Sequence, residues 1–215
     1  MVVEQRISAI ETQEKKANRR SIFVNGKFAL GVDESVIASL GLHVGQQIGE
    51  EDLQKVVRAE LIAKAKEKAL GLLEYRPRSR MEIVHRLRRA GFAEDIVEET
   101  LKRLEDLGLI DDTQFSRMWV NHRLASKAMG KTRIKWELRQ KGVPTEVAEE
   151  ALSAVDAETE YQSAANVARR RWQKDGSSDE RTRRRRLASF LRRQGFDWDV
   201  INKVLNELSA GSEPE

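Results

Sequence analysis

Apolar positions and glycines recur along the chain in one pattern that occurs three times. Each copy has an apolar residue eight positions before a glycine, a leucine four before it, and apolar residues one and five after it. The three glycines are Gly91, Gly142 and Gly195. They are separated by about fifty residues, which is too long for one helix pair and suits three short helices. The pattern therefore predicts stacked repeats, an elongated array with an extended binding face.

The spacing inside one copy explains its structure. Apolar residues four apart, such as Ile83 and Leu87, form one stripe of a helix, and the glycine that follows can take the left-handed conformation that ends a helix. Ser79, with Glu82 three residues later, matches the capping box that begins a helix. We interpret these glycines and leucines as scaffold.

The first fifty residues lack this pattern. Residues 6–12 and 21–32 alternate between apolar and polar side chains, as β-strands do. Asn25-Gly26, between two such runs, favours a tight hairpin turn of type I′. A small β-hairpin element is therefore expected at the start of the chain.

Two helices are predicted between this element and the first glycine. Asp33 can cap a short helix that runs through Leu40 and ends at Gly41. A helical pattern then extends over residues 51–75, and Pro77 stops it.

Together these patterns predict an all-α fold, a tandem array of three three-helix repeats with a small N-terminal β-hairpin element. The third repeat carries an additional Gly/Ser loop at residues 174–179, before its arginine-rich helix. The expected boundaries are 1–50 for the β element and short helix, 51–108, 109–157 and 158–208 for the repeats, and 209–215 for a frayed tail.

Charge is concentrated late in the chain. The 39 Lys and Arg residues slightly outnumber the 35 Asp and Glu residues. Residues 161–193, however, contain eleven basic and three acidic side chains. Such a cluster favours an anionic partner.

Catalytic and metal-binding patterns are missing from the sequence. It contains no cysteine, and His43, His85 and His122 lie too far apart to match a metal-binding motif. No phosphate-binding loop and no paired nucleophile and base occur. We therefore expect no catalytic residues, no metal and no cofactor. The sequence also lacks a signal peptide and a membrane-spanning stretch, so a cytoplasmic protein is expected. We also expect a monomer.

Basic residues precede each of the three glycines. Arg183 to Arg186 stand directly before the apolar stripe of Leu187 and Leu191, where cations oppose the helix dipole. We expect all four at exposed helix positions, where either they bind an anion or they are a solvated face. The candidate residues for partner or DNA binding are Arg86, Arg88 and Arg89, then Lys135, Arg139 and Lys141, then Arg183, Arg184, Arg185, Arg186, Arg192 and Arg193.

The tryptophans divide into two groups. Trp119 and Trp172 are expected in the cores of their repeats, and Trp198 is expected to be half exposed. Trp136 lies about 200° around its helix from Ile134, so its ring should point away from the repeat's own core. It either packs between repeats, which we favour, or contacts a partner.

Several segments in order resemble the RecX family of regulators of the RecA recombinase. They include the stretches 75–83 and 109–112, then Phe115, Trp119, Val120, Arg123, Gly130, Arg133, Ile134, Leu138 and Gly142. The resemblance covers residues 60–208. It implies a cytoplasmic, non-enzymatic protein of three three-helix repeats. That protein binds RecA and its nucleoprotein filament and modulates recombination and the associated coprotease activity.

Two hypotheses about function lead. In the first, the protein inhibits the RecA filament, with single-stranded DNA within or beside it, in recombination, DNA repair and the SOS response. In the second, the arginine-rich helices bind DNA directly. A helical-repeat adaptor for an unrelated acidic protein is a third. The first two differ in salt dependence, because phosphate contacts lose affinity steeply as salt rises.

Overall fold

The fold is that of a computed structural model, which describes residues 5–14, 16–175 and 179–210. The chain divides into two compact units. The first comprises Met1–Pro77 and Ile83–Ile110, and the second comprises Arg78–Glu82 and Asp111–Glu215. The predicted repeat architecture, all-helical after a small β element, is confirmed. Of the expected third-repeat loop, residues 176–178 lie outside the described residues, as do residues 211–215 of the expected tail.

The β element is a three-stranded antiparallel sheet in the order β1-β2-β3, with strands β1 (Ile7–Gln13), β2 (Lys16–Val24) and β3 (Lys27–Asp33). Both Asn25 and Gly26 have positive φ, 50° and 77°, as the predicted type I′ turn requires. Ile22 and Val32, on neighbouring strands, are fully buried. The sheet therefore turns one apolar face toward the first unit's core.

Ten α-helices follow the sheet in the described part of the chain. They are α1 (Glu34–Leu40), α2 (Glu50–Tyr75), α3 (Arg80–Arg89), α4 (Glu94–Asp106), α5 (Asp112–His122), α6 (Lys131–Gln140), α7 (Thr145–Ser153), α8 (Ala157–Lys174), α9 (Glu180–Arg193) and α10 (Trp198–Ala210). A single π-helical turn, Arg123–Lys127, continues α5. Helix α10 continues two residues past the predicted end of the third repeat.

Helix α2 connects the sheet to the first repeat. It carries Val56 into the core of the β element and also packs against α4. The Glu60 carboxylate, 5% exposed, accepts a hydrogen bond from the Asp33 backbone N–H (2.7 Å) and pairs with Arg19 at 2.8 Å. The helix ends where Arg76 adopts extended backbone before Pro77.

The second and third repeats each form a core of their own. In the second, Ile134 and Leu138 on α6 are fully buried beneath α5 and α7. In the third, Leu191 of α9 and Ile201 of α10 are fully buried against α8. Leu138 and Leu191, the leucines four residues before the repeat glycines, are thus core residues, as the repeating pattern predicts.

The three repeat glycines occupy equivalent turns, as predicted. Gly91, Gly142 and Gly195 have φ values of 89°, 72° and 87°. In each repeat, the N–H of the residue after the glycine donates to the carbonyl of the core leucine, which closes a Schellman cap. The donor and acceptor pairs are Phe92 and Leu87, Val143 and Leu138, and Phe196 and Leu191.

Two of these turns also form joints between helices of the second unit. Ser79, just before α3, donates its hydroxyl to the carbonyl of Lys141 at 2.5 Å. Gly130, just before α6, donates its N–H to the carbonyl of Gln194 at 2.9 Å. Lys141 and Gln194 each stand immediately before a repeat glycine, so the two joints are structurally equivalent.

Close approach at these joints leaves no space for a side chain on the glycine. A Cβ added at Gly142 would overlap the side chain of Met81, and one added at Gly195 would overlap the backbone and Cβ of Arg133. A Cβ at Gly91 would meet no atom within 4 Å. Gly142 and Gly195 are therefore required for packing as well as for backbone conformation.

Candidate functional site

The basic residues of the first repeat lie on the exposed side of α3. Arg88 makes two hydrogen bonds to the Glu94 carboxylate, and these bonds raise the pKa of its guanidinium above the ordinary value. Arg86 and Arg89 are exposed and make no ion pair with the described residues. Two of the three predicted cations are thus available to a partner.

The basic residues of the second repeat differ in their surroundings. Lys135 pairs with Glu149 at 2.6 Å. Lys141 pairs with Glu82 at 3.1 Å and lies over the ring of Trp119, 4.1 Å from its centroid. We assign Lys141 to the joint between helices. Among the described residues, Arg139 has neither a hydrogen bond nor an ion pair, and it is exposed.

Trp136 is 59% exposed, so the inter-repeat packing that we favoured for it is wrong. The second and third repeats meet instead at Gly130 and Gly195, where backbone approaches backbone. So close a joint has no space for an indole. Trp198 is 50% exposed, as predicted, and Trp172 is buried.

The four consecutive arginines of α9 do not share one environment. Arg183 lies over the Trp172 ring, 4.0 Å from its centroid, and donates to the Trp172 carbonyl at 2.9 Å. Arg184 donates to the Leu205 carbonyl at 3.2 Å and to the Asn206 side chain at 3.1 Å. These two side chains connect α9 to its neighbours in the third repeat.

The expectation that all four arginines are exposed is therefore wrong for Arg183 and Arg184. The helical period gives the reason, because position 183 lies four residues before the buried Leu187 and position 184 lies three before it. Both arginines border the buried stripe. Their apolar stems pack on it while their guanidinium groups reach polar atoms of the adjoining helices.

Arg185, Arg186, Arg192 and Arg193 are the exposed cations of α9. Arg186 lies 3.4 Å from Asp175, and Arg192 lies over the Trp198 ring at 5.5 Å. The run also begins a full turn inside the helix, after Asp179 and Glu180. The conflict with the helix dipole is accordingly smaller than the sequence indicated.

Three further cations on α8 were not among the predicted site residues. Arg170, Arg171 and Lys174 line an open cavity of about 510 Å³, together with Arg186 from α9. Arg171 stacks over Phe190, 4.4 Å from the ring centroid. The signal was present in the sequence, since positions 170, 171 and 174 fall on one edge of a helix.

Residues 5–14, 16–175 and 179–210 contain neither a metal-binding cluster nor a membrane-spanning helix. No group of three or more His, Asp and Glu side chains there could hold a metal ion. No helix in that part of the chain is long and apolar enough to cross a membrane.

The fold and these surfaces define a helical-repeat protein with cationic faces. Matches to protein-family models identify the family to which this helical-repeat protein belongs. The RecX N-terminal domain matches residues 5–49, and the first, second and third RecX three-helix domains match residues 65–104, 111–152 and 158–205. The chain belongs to the RecX family.

Relatives agree with this assignment. The chain is 31% identical to the regulatory protein RecX of Clostridioides difficile (strain 630), over 94% of this chain and 95% of the relative. It is 40% identical to the regulatory protein RecX of Amycolatopsis mediterranei (strain U-32), over 71% and 90%. Relatives from both organisms are thus called regulatory proteins.

Solved structures show the same fold. A crystal structure of regulatory protein RecX superposes with a TM-score of 0.83 at 29% identity and covers 94% of this chain and 99% of its own. The crystal structure of RecX from Lactobacillus salivarius gives a TM-score of 0.67 at 27% identity, over 71% and 99%.

Proposed function

We propose that this protein binds the RecA recombinase and its nucleoprotein filament and lowers RecA activity in recombination, DNA repair and the SOS response. It acts in the cytoplasm as a monomer and without catalysis. Membership of a family of regulatory proteins supports the regulatory role. The choice of RecA rests on the family resemblance.

One geometric observation supports contact with a repeating partner. The residue directly after the core leucine is an exposed arginine in every repeat, namely Arg88, Arg139 and Arg192. Arg88 would exchange its ion pair with Glu94 for one with the partner. Equivalent cations on equivalent helices can bind equivalent acidic groups on successive subunits of a filament. Each contact then raises the effective concentration for the next one.

Binding at matched salt tests this function. We expect the purified protein to bind RecA filaments on single-stranded DNA more tightly than it binds RecA alone or bare single-stranded DNA. The measurement is fluorescence anisotropy of the labelled protein against each partner. Equal affinity for the filament and for bare DNA would contradict the proposal.

Direct DNA binding is a second candidate, favoured by the exposed cations Arg185, Arg186 and Arg193. If these residues contact phosphates, Arg185→Gln with Arg186→Gln should lower bare-DNA affinity and reduce its salt slope by up to about two contacts. Lys66→Gln with Lys68→Gln removes the same charge from α2 and is the matched control. An unchanged salt slope in the arginine variant would exclude this candidate.

A further inference from the structure

Two open cavities, of about 510 Å³ and 650 Å³, lie along α8 in the second unit and share Val167 and Arg170 in their walls. We call the pair the groove, and each cavity is one end of it. These volumes are in the range of small-ligand sites. The two ends of the groove differ in chemistry, so each indicates a different part of one ligand.

The first end is lined by four cations and one carboxylate, because Asp175 also lies there and pairs with Arg186 at 3.4 Å. Arg170, Arg171 and Lys174 converge there, and no carboxylate of the described residues lies within 4 Å of any of them. Six other cations of this unit are paired with carboxylates, whereas Arg139, Arg185 and Arg193 are, among the described residues, exposed single cations outside the groove. The pairs are Arg117 with Glu150, Arg123 with Glu137, Lys131 with Glu160, Lys135 with Glu149, Arg169 with Glu207, and Lys203 with Glu158.

Three unpaired cations at one concave surface raise the local positive potential and attract an anion. Arginine and lysine both bind phosphate well, arginine through its planar fork of donors and lysine as a compact charge. Phe190 and Val167 supply apolar surface beside them. The cationic end therefore suits a phosphate group attached to a larger molecule.

The second end is polar and is not suited to a phosphate. Asn121 and Asn166 are exposed there, and neither amide has a hydrogen-bond partner among the described residues. Asp156 and Glu158 line the same cavity and would repel an anion. Amides both donate and accept, which matches the mixed pattern of a nucleobase edge.

The backbone around this second end is irregular. The π-helical turn Arg123–Lys127 forms part of the wall, and Ala128 next to it has a left-handed conformation with φ 45° and ψ 58°. The Ser163 hydroxyl of α8 donates to the carbonyl of Leu124 at 2.8 Å and holds the turn in place. Both π-turns and left-handed residues other than glycine concentrate at functional sites.

We propose that the groove binds a nucleoside phosphate, with its base at the asparagine end and its phosphate at Arg170, Arg171 and Lys174. The ligand is either a free nucleotide or one nucleotide unit of a single strand, since both present the same chemistry. This site is separate from the proposed contact with RecA, because it uses none of the arginines that follow the core leucines.

Calorimetric titration of the full chain tests the site with ADP, inorganic tripolyphosphate and a short oligodeoxythymidylate. We expect Arg170→Gln, Arg171→Gln and Lys174→Gln together to weaken ADP binding at least tenfold. The matched control, Lys66→Gln, Lys68→Gln and Lys102→Gln, removes the same charge from α2 and α4 and should leave it unchanged. Far-UV circular dichroism verifies that both variants fold.

Asn166→Ala tests the base-binding end separately. It should weaken ADP binding severalfold and leave tripolyphosphate binding unchanged. If ADP binds more tightly than the oligonucleotide, the ligand is a free nucleotide, and the reverse order with the same dependence on the variants assigns the site to a single strand. The proposal is overturned if neither binds at millimolar concentration, if the cleft and control variants bind alike, or if ADP binds no better than tripolyphosphate.

Discussion

Two glycines of the second unit, Gly142 and Gly195, allow neighbouring segments to approach closely because they have no side chain. At Gly195 the neighbouring atoms belong to the backbone of Arg133, which cannot move aside as a flexible side chain can. At Gly91 the same turn faces open space. Residues with equivalent backbone conformations therefore differ in how far they tolerate substitution.

The first prediction compares these two glycines. Gly91→Ala should lower the free energy of unfolding by about 1–2 kcal/mol, the cost of a left-handed alanine. Gly195→Ala should cost a further 1–3 kcal/mol or so, because its Cβ also forces the joint apart. Urea denaturation at neutral pH measures both. Equal losses would show that the joint is not close packed.

The arginines of α9 also differ in how much their substitution is expected to lower stability. Arg183→Gln removes the stacking on Trp172 and the hydrogen bond to its carbonyl, so we expect a loss of about 1–3 kcal/mol. Arg185→Gln, on the exposed side of the same helix, should change stability by less than about 0.5 kcal/mol. Thermal unfolding of both variants decides the matter, and similar melting temperatures would contradict the assignment of Arg183 to the interior.

At the scale of elements, acidic residues begin several helices. Asp33, Asp156 and Asp179 cap α1, α8 and α9. Hydrogen bonds lower the pKa of each carboxyl group below its ordinary 3.8. The main donor is the Ser35 side chain for Asp33, the Thr159 backbone N–H for Asp156 and the Thr182 side chain for Asp179. The ionised carboxylates therefore stabilise the folded state.

The sign of the pH dependence follows from these shifts. A carboxyl group whose pKa is lower in the folded protein stabilises it above the unfolded pKa, and this stability is lost as pH falls below about 3.8. Asp156→Asn keeps an acceptor at the cap but does not titrate. We expect the variant to lose less stability than the wild type between pH 5 and pH 2, roughly, in urea unfolding. Parallel losses would show that Asp156 does not contribute.

Elements with local signals could be predicted from the sequence, and those that depend on tertiary contacts could not. The Asn25-Gly26 turn, the Asp33 cap and the Schellman glycines depend only on neighbouring residues, and each prediction is confirmed. The π-turn after α5 has no comparable local signal, because Ser163, 39 residues away from Leu124, holds it.

The candidate site shows the same division. The sequence shows where basic residues cluster along the chain, but their exposure was misjudged where contacts between helices decide it. Arg183 and Arg184 reach atoms of α8 and α10, whose positions the sequence alone does not give. Arg170 and Lys174 belong to a cavity that exists only when α8 and α9 are packed.

At the scale of the whole molecule, the RecX family assignment covers both units. The N-terminal domain and first three-helix domain matches lie in residues 5–104, and the other two lie in residues 111–205. Each repeat contributes one exposed arginine at the same position, so the proposed binding surface is distributed along the sequence. Loss of one such contact should weaken binding to a filament only partly.

The most direct measurement is the rate of ATP hydrolysis by RecA filaments on single-stranded DNA as this protein is added. We predict that the wild type lowers the rate, and that Arg139→Gln with Arg192→Gln requires several times more protein for the same inhibition. Lys66→Gln with Lys68→Gln should inhibit as the wild type does. A hydrolysis rate that stays constant at saturating wild-type protein would contradict regulation of RecA by this chain.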